Sequence, residues 1–123
     1  MSRRKPRTLE QVIRVRINSA NYRADKLGLD GRLIYAGFNI VPETCTFCDR
    51  KLRVSNLSLD HIVPFSKGGQ NVWSNIQWIC IRDNRYRGNL SVDEYREFLA
   101  LLAANGWTER FFRHYRPRGY HGN

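Results

Sequence analysis

Three polar residues in the middle of the chain have side chains suited to hydrolysing a phosphodiester bond: Asp60, His61 and Asn84. Such hydrolysis needs a deprotonated water in line with the leaving oxygen, and positive charge beside the oxygens that become negative. A histidine, whose unperturbed pKa is near ~6.5, can take a proton from water at neutral pH. The oxygen atoms of Asp60 and Asn84 suit a hard divalent cation that also binds a substrate phosphate.

A second group of residues has the types and spacing of a structural zinc site. Cys45 and Cys48 form a C-x-x-C knuckle, and Cys80 could return from the far side of a hairpin as a third ligand. Asp83 stands three residues after Cys80, where a second C-x-x-C would place its last cysteine. Two alternatives stay open: Asp83 can simply complement the helix dipole, and the three cysteines can be buried thiols.

The charge of the chain indicates a polyanionic partner. Its 123 residues include 21 Lys and Arg against 11 Asp and Glu, a net charge of +10. Nucleic acid is the commonest such partner, and an anionic membrane surface is the rival. No apolar run approaches the roughly 18 residues of a membrane span, and residues 1–7 lack the apolar stretch of a signal peptide. We therefore expect a small cytoplasmic protein with no membrane partner.

Helix signals flank the central residues on both sides. Thr8 and Gln11 form a capping-box pattern, and apolar residues at steps of three or four then predict an amphipathic helix that ends near Gly28. Arg16 and Arg23 share one face of it, which could follow a phosphate backbone or could simply be solvated. A second capping box at Ser91 predicts a helix that ends near Gly106.

Strand signals occur between these helices. Residues 52–60 alternate loosely between polar and apolar types, and residues 76–80 look like a second strand. A short helix over residues 81–87, closed by Gly88, would follow. Residues 31–42 are ambiguous between helix and strand and are predicted only to contribute to the core.

The two ends of the chain are basic. We interpret residues 1–7 as a flexible basic arm or a solvated terminus, and residues 110–123 as a basic tail whose aromatic residues are interleaved with arginines. That mixture suits nucleic acid but is also common in terminal segments that pack on a core. His114 and His121 belong to this tail and are not expected to be catalytic. The domain would therefore extend over residues 8–109.

Taken in order, the central motifs resemble those of the HNH endonuclease family. The resemblance covers roughly residues 43–89 and includes Leu59-Asp60-His61-Ile62-Val63-Pro64, Lys67-Gly68-Gly69, Asn75-Ile76-Gln77 and the segment from Cys80 to Gly88. An isolated Asp-His pair would more often be a hydrogen-bonded strand end, but these elements in register favour catalysis. The resemblance implies an α+β fold with a ββα-metal core and flanking N- and C-terminal helices. Where the knuckle binds a zinc ion, that ion would connect the strands to the helix.

The same resemblance implies roles for single residues. Asp60 and Asn84 would ligate a catalytic Mg²⁺ or Mn²⁺ ion, and His61 would be the general base. Asn75 would form hydrogen bonds across the loop and fix the backbone of His61. The chain departs from the family pattern at Asp83, which replaces the usual fourth cysteine of the zinc site.

Four basic residues near the motif are candidates for contacts with nucleic acid. Arg87 stands where the family usually has lysine and keeps the charge for a phosphate contact. Arg82 and Arg85 lie three residues apart, on a shared helix face that could contact a duplex backbone. Lys67, in the loop, completes the set of predicted contacts.

These patterns predict a metal-dependent endonuclease that nicks or cuts double-stranded DNA. One site cuts one strand, so a double-strand break would need a dimer or two successive nicks, and the sequence leaves the oligomeric state open. The alternative is a non-catalytic, zinc-stapled DNA-binding module; an RNA-binding zinc-knuckle protein would not explain Asp60, His61 and Asn75. Small members of the family are similar to proteins of bacteriophages and mobile elements, which suggests a bacterial host cell.

Overall fold

The centre of the structure is a two-stranded antiparallel sheet between helices. The computed structural model describes residues 5–35 and 40–114. Strand β1 (Leu57–His61) pairs with β2 (Ile76–Cys80), with Leu57 opposite Cys80 and His61 opposite Ile76. The predicted α+β class, with a ββα core and flanking helices, is confirmed. The helices are α1 (Leu9–Lys26), α2 (Ile81–Arg87), α3 (Val92–Ala104) and α4 (Thr108–His114), and 3-10 turns occupy Phe65–Lys67 and Trp73–Asn75.

Both predicted capping boxes are present and fix where α1 and α3 begin. The Gln11 N–H donates to Thr8 Oγ1 at 3.2 Å, and the Thr8 N–H donates to Gln11 Oε1 at 2.8 Å. Ser91 and Glu94 make the same reciprocal pair at the start of α3. Within residues 5–35 and 40–114, none of the helices combines the length and apolar character needed to span a bilayer.

The first strand is shorter than the sequence predicts. It begins at Leu57 rather than near residue 52, because the preceding residues fold into a turn around Asn56. The Asn56 side chain accepts from the Arg53 N–H at 2.7 Å and donates to the Lys51 carbonyl at 3.0 Å. An asparagine that bonds its own neighbourhood in this way competes with strand pairing.

Strand β1 is buried on both faces, because α1 covers one and α2 covers the other. Successive side chains of a strand point to opposite faces. Leu57 and Leu59 therefore pack toward α1, whereas Ser58 and Asp60 face α2. The main core on the α1 side consists of Val12, Ile13, Ile17, Ala20, Leu33, Leu57, Leu59, Ile76 and Trp78.

The C-terminal part of the described chain is helical and packs on the domain. Helix α4 extends across residue 110, where the sequence predicts the start of a basic tail, and Phe112 on it is buried. Its aromatic residues Phe111 and Phe112 contact the ring of Tyr86 on α2. Residues 1–4 of the predicted arm, residues 36–39, and residues 115–123 with His121 lie outside the described part.

A buried arginine ties the end of β1 to the end of α2. Arg87 is 1% exposed, and its guanidinium forms an ion pair with the Asp60 carboxylate. It also donates to the His61 carbonyl at 3.0 Å and to the Ile62 carbonyl, and its Nε donates to the Leu90 carbonyl at 3.0 Å. One side chain therefore joins the strand, the helix and the connection to α3.

We predict that Arg87→Met lowers the free energy of unfolding by about 3–5 kcal/mol, because it leaves the Asp60 charge buried without its partner. Urea denaturation followed by circular dichroism measures the change. Arg14→Met is the matched control, since the Arg14–Glu10 ion pair is exposed and should contribute less than about 1 kcal/mol. Equal stability of the two variants would contradict the role of Arg87.

Candidate active site and metal centre

The three residues that the sequence selects for catalysis line a single cleft. The cleft has a volume of about 620 Å³ and lies at the end of β1, where Asp60 and His61 meet Asn84 of α2. Arg23 of α1 and Phe65 of the following 3-10 turn also line it. Residues from the ββα unit and from the N-terminal helix thus share one concave site.

Asp60 is a buried carboxylate with one oxygen already engaged. Its Oδ2 accepts from Gln77 Nε2 at 2.8 Å and from the guanidinium of Arg87. Burial raises the pKa of Asp60, and the Gln77 hydrogen bond and the Arg87 charge act in the opposite direction. Both donors contact Oδ2, so Oδ1 is the oxygen left to bind an ion.

Arg87 does not occupy the position that the sequence predicts for it. A phosphate contact requires an exposed guanidinium, whereas that of Arg87 is buried and bonded to Asp60 and to backbone carbonyls. The predicted phosphate contact therefore does not fit the structure. The positive charge compensates the Asp60 carboxylate inside the protein instead.

The imidazole of His61 is held by an asparagine that sequence reasoning missed. His61 Nε2 lies 2.9 Å from Oδ1 of Asn71, a residue that is completely buried. Asn71 Nδ2 in turn donates to Oδ1 of Asn21 on α1 at 2.9 Å. A chain of hydrogen bonds thus connects helix α1 to the histidine.

This chain of hydrogen bonds determines which ring nitrogen of His61 carries the proton. Asn21 bonds the backbone of Leu33 in both directions: its Oδ1 accepts from the Leu33 N–H at 2.8 Å, and its Nδ2 donates to the Leu33 carbonyl at 3.0 Å. The orientation of Asn21 fixes that of Asn71, whose Oδ1 must then accept from His61. Nε2 is therefore the protonated nitrogen of the neutral ring, and Nδ1 keeps a lone pair.

We call the chain of hydrogen bonds from Asn21 through Asn71 to His61 the relay, and one signal for it was present in the sequence. Asn21 lies four residues after Ile17 and three before Ala24, so it falls on the apolar stripe of α1, and it is buried there. A polar residue in such a stripe needs a buried partner. Nothing in the sequence identified that partner as Asn71, which is distant along the chain and lies in a loop.

The surroundings of His61 favour its neutral form. Burial is the largest effect and lowers the pKa of His61; Asn71 opposes this shift, and the Arg23 charge adds to it. The ring of Phe65 packs against the imidazole with a centroid distance of 4.2 Å. A neutral histidine can accept a proton, as the predicted role requires.

Asn75 secures the loop that follows His61. Its Oδ1 accepts from the Val63 N–H at 2.9 Å, and its Nδ2 donates to the Val63 carbonyl at 3.0 Å. Its own backbone carbonyl accepts from the Ile62 N–H at 2.8 Å. Gly69 packs so closely on the Val63 carbonyl that a side chain there would collide with it. Asn75 thus fixes the two residues after His61, rather than His61 itself.

Asn84 projects from α2 toward the polar face of β1. Its Nδ2 donates to Ser58 Oγ and, at 3.5 Å, to the Leu59 carbonyl. With the nitrogen so engaged, the amide oxygen is the atom available to an ion in the cleft. Asn84 and Asp60 can therefore each offer one oxygen from neighbouring elements.

The structure also brings together the four residues of the predicted zinc site. The candidate ligand atoms of Cys45, Cys48, Cys80 and Asp83 all lie within 4.8 Å of one another. Cys48 and Cys80 have sulfurs 3.7 Å apart, and Asp83 Oδ2 lies 3.1 Å from the Cys80 sulfur. A tetrahedral zinc with bonds of about 2.3 Å to sulfur would have ligand edges of about 3.8 Å, so the donor set fits such an ion.

The acid–base properties of this cluster indicate a need for positive charge. The neighbouring Cys48 and Cys80 thiols lower the pKa of Cys45, and the Cys45 sulfur raises the pKa of Cys48 to about 11 and also raises that of Cys80. In the structure Cys45 Sγ donates to Asp83 Oδ2. A thiolate at Cys45 would lie 3.3 Å from the buried carboxylate of Asp83. A cation among these atoms would relieve that repulsion.

The other predicted nucleic-acid contacts occupy different environments. Arg85 lines a second cleft beside Asn84. Arg82 instead stacks on Phe112, with its Cζ 3.9 Å from the ring centroid, and lines neither cleft. Its Nη2 lies 3.9 Å from Asp83 Oδ1. Lys67 is exposed and forms an ion pair with Glu94 at 3.7 Å. Arg82 and Arg85 therefore do not act on one shared surface.

Comparison with known proteins agrees with this geometry. Residues 45–97 match the sequence model of the HNH endonuclease family. The matched segment includes the cysteine cluster, both strands, α2 and part of α3. A search of curated proteins found no match. The family description indicates a nuclease that acts on nucleic acid, and residues 45–97 are the segment of this chain that is similar to an HNH endonuclease domain.

Proposed function

We propose that this protein is a metal-dependent endonuclease that hydrolyses phosphodiester bonds of double-stranded DNA. The observation that carries the proposal is the single cleft formed by Asp60, His61 and Asn84. The net charge of +10 supports a duplex as the substrate, because phosphate neutralisation supplies most of the non-specific affinity.

Asp60 and Asn84 would hold the catalytic cation. Each offers one oxygen that accepts no hydrogen bond from the described residues, Oδ1 of Asp60 and Oδ1 of Asn84. Two oxygen donors suit Mg²⁺ or Mn²⁺, which keep several waters in such sites. When bound, the cation supplies positive charge to the phosphate and to the leaving oxygen.

His61 would remove the proton from the attacking water. Its Nδ1 has the lone pair for this step, because the relay through Asn71 and Asn21 keeps the proton on Nε2. When Nδ1 takes a second proton, Asn71 Oδ1 still accepts from Nε2 and stabilises the imidazolium. The relay thus supports both protonation states without moving the ring.

The cysteine cluster would bind a structural zinc ion. Cys45 and Cys48 come from the knuckle, whereas Cys80 and Asp83 come from the start of α2. An ion shared by these four residues would fasten the knuckle to the junction of β2 and α2. The competing function is a non-catalytic DNA-binding module held together by zinc, which would bind plasmid DNA without cutting it.

We predict that the purified protein converts supercoiled plasmid to nicked or linear DNA with Mg²⁺ or Mn²⁺, that EDTA abolishes the reaction, and that His61→Ala greatly slows it. Loss of the general base should cost about 10²–10⁴-fold in rate. Agarose-gel electrophoresis measures the products, and the ratio of nicked to linear DNA reports how many strands are cut. Binding of the plasmid without cleavage under either metal would favour the non-catalytic module.

A second prediction concerns the relay. Asn71→Leu should lower kcat roughly 10- to 100-fold with little change in KM, because the imidazole loses the acceptor that orients it. Long-range ¹H–¹⁵N NMR of His61 should show a neutral ring protonated at Nε2 in the wild type and a tautomer mixture in the variant. Asn18→Leu, at an exposed position of α1, is the control. A wild-type ring protonated at Nδ1 would overturn this assignment.

A third prediction concerns zinc. Protein prepared without chelators should contain one zinc ion per chain by elemental analysis, and its removal should lower Tm by at least ~10 °C, corresponding to roughly 2 kcal/mol. Asp83→Cys should keep the ion, whereas Asp83→Ala should lose it and Asp93→Ala, on exposed α3 surface, should not. A metal-free protein whose Tm is unaffected by chelators would instead identify three buried thiols.

A further inference from the structure

A second, smaller cleft lies next to the candidate active site. It has a volume of about 250 Å³ and is lined by Arg16, Arg23 and Arg85, together with serines and Asn84. Asn84 and Arg23 also line the first cleft, so the two depressions share a wall. We call this second depression the arginine pocket.

The arginine pocket concentrates positive charge, because three of its nine lining residues are arginines. None of the described residues that line it carries a carboxylate, and two serines, Ser19 and Ser58, add hydroxyl groups. Guanidinium and hydroxyl groups around a small depression are the chemistry of a phosphate site. An anion bound there would relieve the mutual repulsion of the arginines.

The guanidinium of Arg16 is held in place by the protein. Its Nε donates to the Leu57 carbonyl at 3.0 Å, at the start of β1, and the side chain is half-buried. Burial lowers the pKa of Arg16, and the neighbouring charges of Arg7 and Arg85 lower it further. Such crowding of cations is unfavourable in the free protein, which is consistent with a site arranged for an anion.

Two of the three arginines come from outside the matched domain. Arg16 and Arg23 belong to α1, whereas the family match begins at residue 45. Arg85 lies on α2, one residue after Asn84. The pocket therefore depends on α1, whose residues complete a lining that α2 and β1 supply only in part.

We infer that the arginine pocket binds the backbone phosphate next to the one that is cleaved. This inference rests on the proposed function, since it takes the first cleft as the site of the scissile phosphate. Neighbouring phosphates of one strand need adjacent sites, and the shared wall of Asn84 and Arg23 provides that adjacency. The contact would fix the register of the strand without reading its sequence.

The test measures binding of a fluorescent DNA duplex to the full-length protein in EDTA, at several salt concentrations, by anisotropy. Arg85→Gln and Arg16→Gln should each weaken binding and reduce the slope of log K against log salt by about 0.9, the value for one lost phosphate contact. Arg14→Gln is the matched control, because it removes the same charge from α1 at an exposed position that lines neither cleft. Thermal melting verifies that each variant is folded.

The outcomes separate this inference from the proposed nuclease function. Reduced slopes in both pocket variants, with an unchanged slope in Arg14→Gln, would support the pocket even if the wild type cuts no DNA. Equal slopes in all four proteins, an equal loss in Arg14→Gln, or no duplex binding by the wild type would overturn it. If the wild type does cleave, Arg85→Gln should raise KM more than it lowers kcat, as expected for a contact made equally in the ground and transition states.

Discussion

The buried ion pair between Arg87 and Asp60 is the constraint on which the rest of the site depends. On its α2 face, strand β1 presents Ser58 and Asp60 rather than apolar side chains, so α2 is held to the sheet by polar contacts. Burying two charges is costly unless the remaining donors are satisfied. Arg87 meets this condition by donating to three backbone carbonyls as well as to Asp60.

Because side chains alternate along β1, the two neighbouring residues Asp60 and His61 are supported from opposite sides. Asp60 depends on α2 through Arg87, and His61 depends on α1 through Asn71 and Asn21. The residues of the candidate site therefore meet only where the strand ends. In this chain α1, which precedes the matched domain, supplies the support for the proposed base.

Local patterns in the sequence predicted most of the helices and strands, but they did not predict the long-range polar contacts. The capping boxes located α1 and α3, and the spacing of Cys45, Cys48, Cys80 and Asp83 selected four residues that the structure places together. The hydrogen bond between Asn71 and His61 depends on how the loop that contains Asn71 packs, and no local pattern of apolar residues predicts that packing. Arg87 was assigned a phosphate contact because it stands where the family usually has lysine, but in this chain its charge compensates the buried carboxylate of Asp60.

Helix α2 links the two proposed metal centres through its geometry. It has only seven residues, and Cys80 precedes its first turn. Asp83 faces the cysteine cluster, whereas Asn84 and Arg87 face β1. Adjacent residues of a helix are about 100° apart, so any rotation that loosens Asp83 from the cysteines also turns Asn84 within the cleft. A structural ion at the start of α2 would thus restrict the position of a catalytic ligand one residue further along, and the two centres would not be independent.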